Sequence, residues 1–180
     1  MQRLYLKFGK EYDITPTTYI FPEDYELFEE EREAEENNVL YILKPVASSC
    51  GRGIKVIGKR TKILKKEGYL ASKYVARPHL INGFKYDLRV YVLVTCYDPL
   101  RVYVYNNGLV RFATEKYTLD PSDLKKRFIH LTNFSVNKKS ENFKSNQGNG
   151  EDDETSSKWS FKALRKAYDQ RGINFDYVFA

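Results

Sequence analysis

The sequence predicts an α+β protein, or an α/β protein with a mainly antiparallel sheet, and three observations carry that reading. The middle of the chain is a series of aromatic- and valine-rich runs of strand length, and the 15 Tyr and 11 Phe overall favour strands. Helical patterns are confined to the flanks, at residues 22–37 and 158–170. Between two of the central runs stands Asn106-Asn107-Gly108, a hairpin-turn signal. With 180 residues the chain has room for one domain or two small lobes, and it can bury a core without cross-links.

Taken in order, Pro22 suits a first helical position, with Glu23 and Asp24 in the first turn. The acidic run Glu29 to Glu36 continues that helix to a stop at Asn37-Asn38 and reads as a solvated face. Val39 to Lys44 is a strand ended by Pro45; Ser48-Ser49-Cys50-Gly51-Arg52-Gly53 is a small-residue loop; Ile54 to Ile57 returns as a second strand. The result is a hairpin with a long glycine-containing tip. Residues 55–66 carry Lys55, Lys59, Arg60, Lys62, Lys65 and Lys66 with no acid among them. Tyr69 to Val75 is a strand, closed by Arg77-Pro78.

Phe84 to Cys96 is the longest strand, and its alternation is informative. Phe84, Tyr86, Leu88, Val90, Val92, Val94 and Cys96 share one face, while Lys85, Asp87 and Arg89 share the other. Leu100 to Tyr105 and Leu109 to Ala113 then form a hairpin around Asn106-Asn107-Gly108. Residues 140–157 are polar and are expected to be a mobile loop. Lys158 to Gln170 is a helix with Trp159, Ala163 and Ala167 at helical spacing, Leu164 and Tyr168 beside them, Ser156 or Ser157 as cap and Gly172 as stop.

Composition narrows the function classes. Lys and Arg exceed Asp and Glu by six, which suits an acidic or phosphorylated partner. The acidic helix and the lack of any nucleic-acid-binding motif argue against nucleic acid. There is no run of about 18 apolar residues to span a membrane, and the first residues lack a signal-peptide core. Cys50 and Cys96 are too few for a disulfide scaffold, so a reduced cytosolic setting is expected. No Cys/His spacing reads as a metal site, and no Gly-x-Ser-x-Gly elbow supports a serine nucleophile.

Three segments carry groups suited to chemistry. Lys44 with the loop 48–54 combines backbone N–H groups and cations of the kind that hold phosphate, although the pattern is neither a Walker A loop nor Gly-x-Gly-x-x-Gly, and an ordinary hairpin tip has the same composition. Lys85, Asp87 and Arg89 on one strand face form either a solvated ion-paired surface or a cleft for a charged ligand, with Arg111 placed to join them through its guanidinium fork. Phe128 to Lys138 interleaves small polar and apolar groups in a strand-to-loop pattern, in which His130 by itself reads as structural.

Several segments together resemble one family, the tubulin tyrosine ligase-like amino-acid ligases. They are Tyr41-Ile-Leu-Lys-Pro45, Ser48-Ser-Cys-Gly-Arg-Gly-Ile54, Ser72-Lys-Tyr-Val-Ala-Arg-Pro78, Gly83-Phe-Lys-Tyr-Asp-Leu-Arg89, Tyr97-Asp-Pro-Leu100, Gly108-Leu-Val-Arg-Phe-Ala113 and His130-Leu-Thr-Asn-Phe-Ser-Val-Asn-Lys138. The last is the most family-specific, and its end is most similar to the glutamate-adding, tubulin polyglutamylase branch. The resemblance implies an ATP-grasp-like fold whose α+β lobes hold ATP and a magnesium ion. It implies a reaction in which ATP activates a carboxylate as an acyl phosphate and the amine of free glutamate attacks it, the acceptor being a side-chain carboxylate in an acidic tubulin tail. The implied setting is cytoplasm and cytoskeleton, with cilium or basal body as further locations, and neither nucleic acid nor membrane as partner.

Position by position, the resemblance gives Lys44 to the ATP phosphates and Cys50, Gly51, Arg52, Gly53 and Ile54 to the loop covering them. It gives Ser72, Lys73, Tyr74 and Val75 to the adenine hinge, Lys85, Tyr86 and Asp87 to nucleotide contacts, and Thr132 and Asn133 to another. Arg52, Arg89 and Arg111 are the candidate catalytic residues. Arg111 also holds the incoming glutamate, with Phe134, Ser135 and Lys158 on the same side. The basic stretch 55–66 can meet an acidic tail. Three positions depart from the pattern: Cys50 stands where a basic or polar residue is common, Ser72 where glutamine is frequent, and Phe134 where tyrosine is common. The family's metal ligands fall in a Glu-Val-Asn-like segment beyond Ala180, and its N-terminal lobe precedes the matched part. The resemblance thus implies an incomplete unit, with residues 1–78 a central lobe and 79–180 the start of a C-terminal lobe, inactive alone as a ligase. The alternatives are a non-catalytic microtubule-binding or regulatory product, and a glycine or tyrosine ligase of the same family.

Overall fold

The computed structural model describes residues 7–36, 39–146 and 155–179, with side chains as far as Tyr177. The fold is mixed, with two separate four-stranded antiparallel sheets and short helices. Two compact units are formed: Met1–Pro78 with Thr118–His130, and His79–Tyr117 with Leu131–Ala180.

In the first unit the strands β1 (Thr18–Phe21), β2 (Leu40–Pro45), β3 (Lys55–Gly58) and β4 (Tyr69–Lys73) lie in the order β1-β4-β2-β3. Helix α1 (Tyr25–Ala34) packs on them through Phe28 and Arg32, its two buried residues, which lie one turn apart. Phe28 is fully buried among Tyr19, Phe21 and Tyr41, edge-on to Tyr41 at 5.0 Å between ring centroids. That aromatic contact fastens the helix to the sheet, and truncating Phe28 to alanine would cost about 3–5 kcal/mol. The acidic residues of α1 are mainly solvated, as the sequence reads, but Glu31 accepts the Tyr19 hydroxyl. The helix starts at Tyr25 rather than Pro22, because Asp24 turns its carboxylate back onto the Ile20 N–H at 2.8 Å and closes the turn after β1. It ends at Ala34, and the expected stop at Asn37-Asn38 lies outside the described residues.

In the second unit β5 (Leu80–Ile81), β6 (Phe84–Tyr97), β7 (Leu100–Lys116) and β8 (Lys158–Ser160) lie in chain order. The expected hairpin around Asn106-Asn107-Gly108 is not formed. The chain reverses at Asp98-Pro99, and β7 runs unbroken through residues 106–108. An antiparallel ladder pairs β6 with β7 from Phe84↔Lys116 to Tyr97↔Leu100, and the pairs from Val92 onward would be forfeited by a turn at 106–108; the Asn106-Asn107 signal survives only as a register shift, between Val90↔Gly108 and Val92↔Val104. Gly108 is needed there for space. A Cβ on it would lie 2.5 Å from the Arg89 carbonyl oxygen and 2.6 Å from Phe161 Cζ.

The predicted alternation of β6 holds over its first half, where Phe84, Tyr86 and Leu88 pack on the core. It fails as a burial pattern beyond Val90. From there to Tyr105 the ribbon is solvated on both faces, with Leu93 61% and Val104 63% exposed.

The core of this unit lies between the β6–β7 face and helix α4 (Phe161–Asp169), with Val110, Phe112, Trp159, Leu164 and Tyr168 buried. The helix begins three residues later than expected, because Lys158, Trp159 and Ser160 pair with β7 as β8. Its cap is Ser160, whose Oγ accepts the Ala163 N–H at 3.1 Å. Ser156 is instead buried and bonds the Lys158 backbone. The expected strand character of 128–138 also gives way to two single turns, α2 (Arg127–His130) and α3 (Phe134–Asn137). A last short helix is α5 (Phe175–Phe179). Of the loop 140–157, residues 147–154 lie outside the described residues; Lys144 and Ser157 are joined at its base by two hydrogen bonds.

Candidate functional site

In the first unit the glycine loop joins β2 to β3, which places Lys44 at the end of the strand leading into it. Cys50, Gly51 and Gly53 all adopt left-handed φ, at 62°, 72° and 72°. Glycine does so freely, whereas Cys50 bears a strain of order 1 kcal/mol. Gly53 is fixed by space as well, since a Cβ there would sit 2.7 Å from Pro45 Cγ. The Gly51 carbonyl accepts a hydrogen bond from Arg127 Nη2 at 2.8 Å, so the tip is tied to the segment before His130. Arg52 is exposed at the tip and Ile54 is half-buried at its exit. A short ammonium-bearing strand end, a guanidinium and a backbone stripped of Cβ atoms form a donor set that suits phosphate oxygens.

The hinge residues follow along and after β4. Ser72 is buried and shares a 2.9 Å hydrogen bond with the Thr18 hydroxyl. Lys73 is paired with Glu35. Tyr74 is buried with its hydroxyl 3.1 Å from His130 Nδ1, while His130 Nε2 faces the Asp123 carbonyl. His130 is therefore the structural histidine that the sequence reading expects. Val75 is exposed.

In the second unit the register of β6, β7 and β8 sets Asp87 opposite Arg111 and Arg111 opposite Lys158. Three charged side chains thus stand in one row across three strands, on the face opposite Phe112 and Trp159. Arg111 grips Asp87 through both arms of its fork, Nε to Oδ1 at 2.9 Å and Nη2 to Oδ2. The bonded carboxylate holds the Arg111 guanidinium above its ordinary pKa, against the opposing effect of partial burial. Lys158 lies 4.6 Å from the centre of the Phe134 ring, and Lys138 lies 5.6 Å from the same ring. Lys85 stands near Tyr117, and Arg89 is exposed further along β6. Thr132, Asn133 and Ser135 lie in and before α3, half-buried.

Tyr86 points away from the other assigned residues of β6. Its ring faces the core against Phe112, and its hydroxyl lies between His79 Nδ1 at 2.8 Å and the Tyr168 hydroxyl. Burial and the bond to Tyr168 push its pKa far up, so it stays neutral. Strand alternation puts its side chain on the opposite face from Lys85 and Asp87.

The chain matches the family model described as "Tubulin-tyrosine ligase family" over residues 1–179. The chain belongs to that family. It is 42% identical over 182 residues to the tubulin monoglutamylase TTLL4 of Mus musculus, covering 99% of this chain and 15% of that protein. It is 41% identical to the human tubulin polyglutamylase TTLL5, covering 91% of this chain and 12% of that protein. The tubulin polyglutamylase TTLL7 of Xenopus tropicalis is 38% identical, with 86% and 18% covered. The chain therefore spans less than a fifth of the length of these relatives.

The magnesium ion that the resemblance implies has no matching donor set among the described residues. Among the described residues no three His, Cys, Asp or Glu side chains are grouped to hold a metal ion, and Asp87 is engaged by Arg111. Cys50 and Cys96 are not joined in a disulfide, and among the described residues no helix is long and apolar enough to cross a membrane.

Sequence reasoning passed over Arg127, Thr114 and the anchoring part played by Asn137. Their partners are 76 and 23 residues away, and no local pattern signals a contact at such separations. Only Asn137 left a trace, as part of the stretch His130 to Lys138.

Proposed function

We propose that this chain is the nucleotide- and amino-acid-binding part of an ATP-dependent ligase that joins glutamate to side-chain carboxylates in acidic tubulin tails, arranged as part of an ATP-grasp-like protein. The observation that carries the reading is the row Asp87–Arg111–Lys158 with Phe134 beside it. It supplies a fork geometry for a carboxylate, a second cation and an apolar wall, which are the groups a small dicarboxylate needs. Arg111 already holds a carboxylate, that of Asp87, which an incoming substrate carboxylate would displace. Family membership and the glutamylase relatives support the choice of amino acid and acceptor.

In this reading Lys44, Arg52 and the glycine loop bind the nucleotide's phosphates, and Lys85 and Arg89 add positive charge. The acceptor carboxylate oxygen attacks the γ-phosphorus, ADP leaves, and an acyl phosphate forms. The glutamate nitrogen then attacks the acyl carbon, phosphate leaves with the bonding pair, and the nitrogen gives up a proton. The cations stabilise charge on the transferring oxygens, and the fork fixes the amine's approach. Part of the basic stretch is already engaged, Lys59 with the Glu33 and Glu35 carbonyls and Lys65 with Glu26. Exposed Lys55, Arg60 and Lys62 are the groups offered to an acidic tail.

The deciding experiment measures ATP binding to the purified chain and to Lys44→Ala by calorimetry with magnesium present. The substitution is expected to weaken binding by about tenfold or more, as loss of a charge-assisted contact would. Equal affinity for both would overturn the placement. Incubation of the intact protein with tubulin and labelled glutamate, glycine or tyrosine then tests the amino acid, and preference for either of the last two would refute the glutamate assignment.

A further inference from the structure

Asn137 is 1% exposed, and all four hydrogen-bonding positions of its side-chain amide are used. Oδ1 accepts from the Thr114 N–H at 3.0 Å and from the Thr114 hydroxyl at 2.9 Å. Nδ2 donates to the Leu131 carbonyl at 2.7 Å and to the Asn133 carbonyl at 3.1 Å. The partners fix the orientation of the amide, because a backbone N–H only donates and a carbonyl only accepts.

The two carbonyls bracket Thr132. The backbone that presents Thr132 and Asn133 is thereby clamped to Thr114, three residues beyond Arg111 on β7. Turn hydrogen bonds from the Val136 and Asn137 N–H groups to the Asn133 carbonyl, both 3.0 Å, close the other side of the clamp. A buried amide with every position satisfied admits one geometry, and losing it strands the Thr114 N–H without its acceptor.

We infer that Asn137 is a positioning residue of the ligase site, which sets where Thr132 and Asn133 stand relative to Arg111. The inference rests on the nucleotide-binding reading of Thr132 and Asn133. Asn137 touches neither substrate. It acts through the loop, and displacement of such contacts by about 1 Å is enough to cost up to a hundredfold.

The test compares Asn137→Ala, Thr114→Val and Leu164→Ala with the unaltered chain. Leu164 is fully buried on α4, across the sheet from the row. Hydrogen exchange at residues 131–134 is followed without ligand, ATP affinity is measured with magnesium present, and thermal unfolding is recorded for each. Asn137→Ala is expected to speed exchange at 131–134 and to weaken ATP binding about tenfold. Thr114→Val, which removes only the hydroxyl, should move both in the same direction by less. Leu164→Ala should lower the melting temperature and leave ATP affinity within about twofold. Unchanged exchange at 131–134 in Asn137→Ala would overturn the clamp itself. Equal loss of ATP affinity in Asn137→Ala and Leu164→Ala would reduce Asn137 to a stability residue. An unaltered chain that does not bind ATP would overturn the nucleotide reading and this inference together. If Asn137→Ala does not fold, Thr114→Val decides by the same two readouts.

Discussion

Gly108→Ala probes whether β7 is continuous and why. The added methyl would stand 2.5 Å from the Arg89 carbonyl oxygen and 2.6 Å from Phe161 Cζ, both well inside van der Waals contact. The oxygen belongs to the β6 ladder, where Arg89 pairs with Leu109, so it yields only if the ladder opens. Phe161 is 7% exposed at the start of α4 and has little room to retreat. Overpacking of this kind costs about 1–3 kcal/mol. The φ of Gly108 is not left-handed, so alanine also gains roughly 0.4–1 kcal/mol from a less free unfolded chain. The net loss is about 1–2 kcal/mol, equivalent to a fall of roughly 2–8 °C in the melting of a chain of 180 residues. Urea unfolding gives the free energy and calorimetry the temperature. Gly58→Ala is the control, because its added methyl would meet Leu40 Cδ2 at an ordinary 3.6 Å. The sharper readout is the pairing with Phe161→Leu. If the ring is the obstacle, the double variant should recover at least about 0.5 kcal/mol relative to additivity. Strict additivity, or a Gly108→Ala variant as stable as Gly58→Ala, would refute the packing argument and reopen a turn at residues 106–108.

Asp87→Asn releases the Arg111 fork, so acetate or glutamate should bind the chain more tightly, while stability falls by at most about 1 kcal/mol because the pair is partly exposed; weaker carboxylate binding seen by titration would count against the displacement model. Tyr41 is fully buried and its hydroxyl has no hydrogen-bond partner among the described residues, so Tyr41→Phe should be neutral or stabilising by up to about 1 kcal/mol in urea unfolding at pH 7, and a clear loss would show that the hydroxyl has a partner. Burial pushes the Tyr41 hydroxyl up to about 12 from its usual 10, so the folded state keeps its proton longer than the unfolded one. That stability is complete below about pH 10 and is lost as pH rises toward 12, and Tyr41→Phe should flatten this alkaline decline in the urea midpoint. The solvated ribbon from Val90 to Tyr105 should bind an apolar dye and promote aggregation; Val92→Lys with Val104→Lys should suppress both with little change in melting temperature, and an unchanged light-scattering onset would show that aggregation begins elsewhere.

Local chemistry already determined much of this protein. Side-chain alternation along Phe84 to Arg89 separated the core face from the charged face, because a strand's period of two leaves no other arrangement. The spacing of Ala163, Leu164, Ala167 and Tyr168 marked the buried stripe of α4 for the same kind of reason. The residue types suited to phosphate and carboxylate were equally legible at Lys44, the glycine loop and Arg111. Tertiary structure decided what depends on distant partners. It moved the reversal from Asn106-Asn107-Gly108 to Asp98-Pro99, because the pairs that β6 gains from Val92 to Tyr97 outweigh a local turn preference, which is left as a register shift opposite Tyr91. It drew Lys158 to Ser160 out of the helix into β8, closed Arg111 on Asp87 across 24 residues, and clamped the loop at Thr132 through Asn137 across 23. Periodicity reports which face a residue occupies, but the partner it meets there is set by register and packing, which only the folded chain possesses.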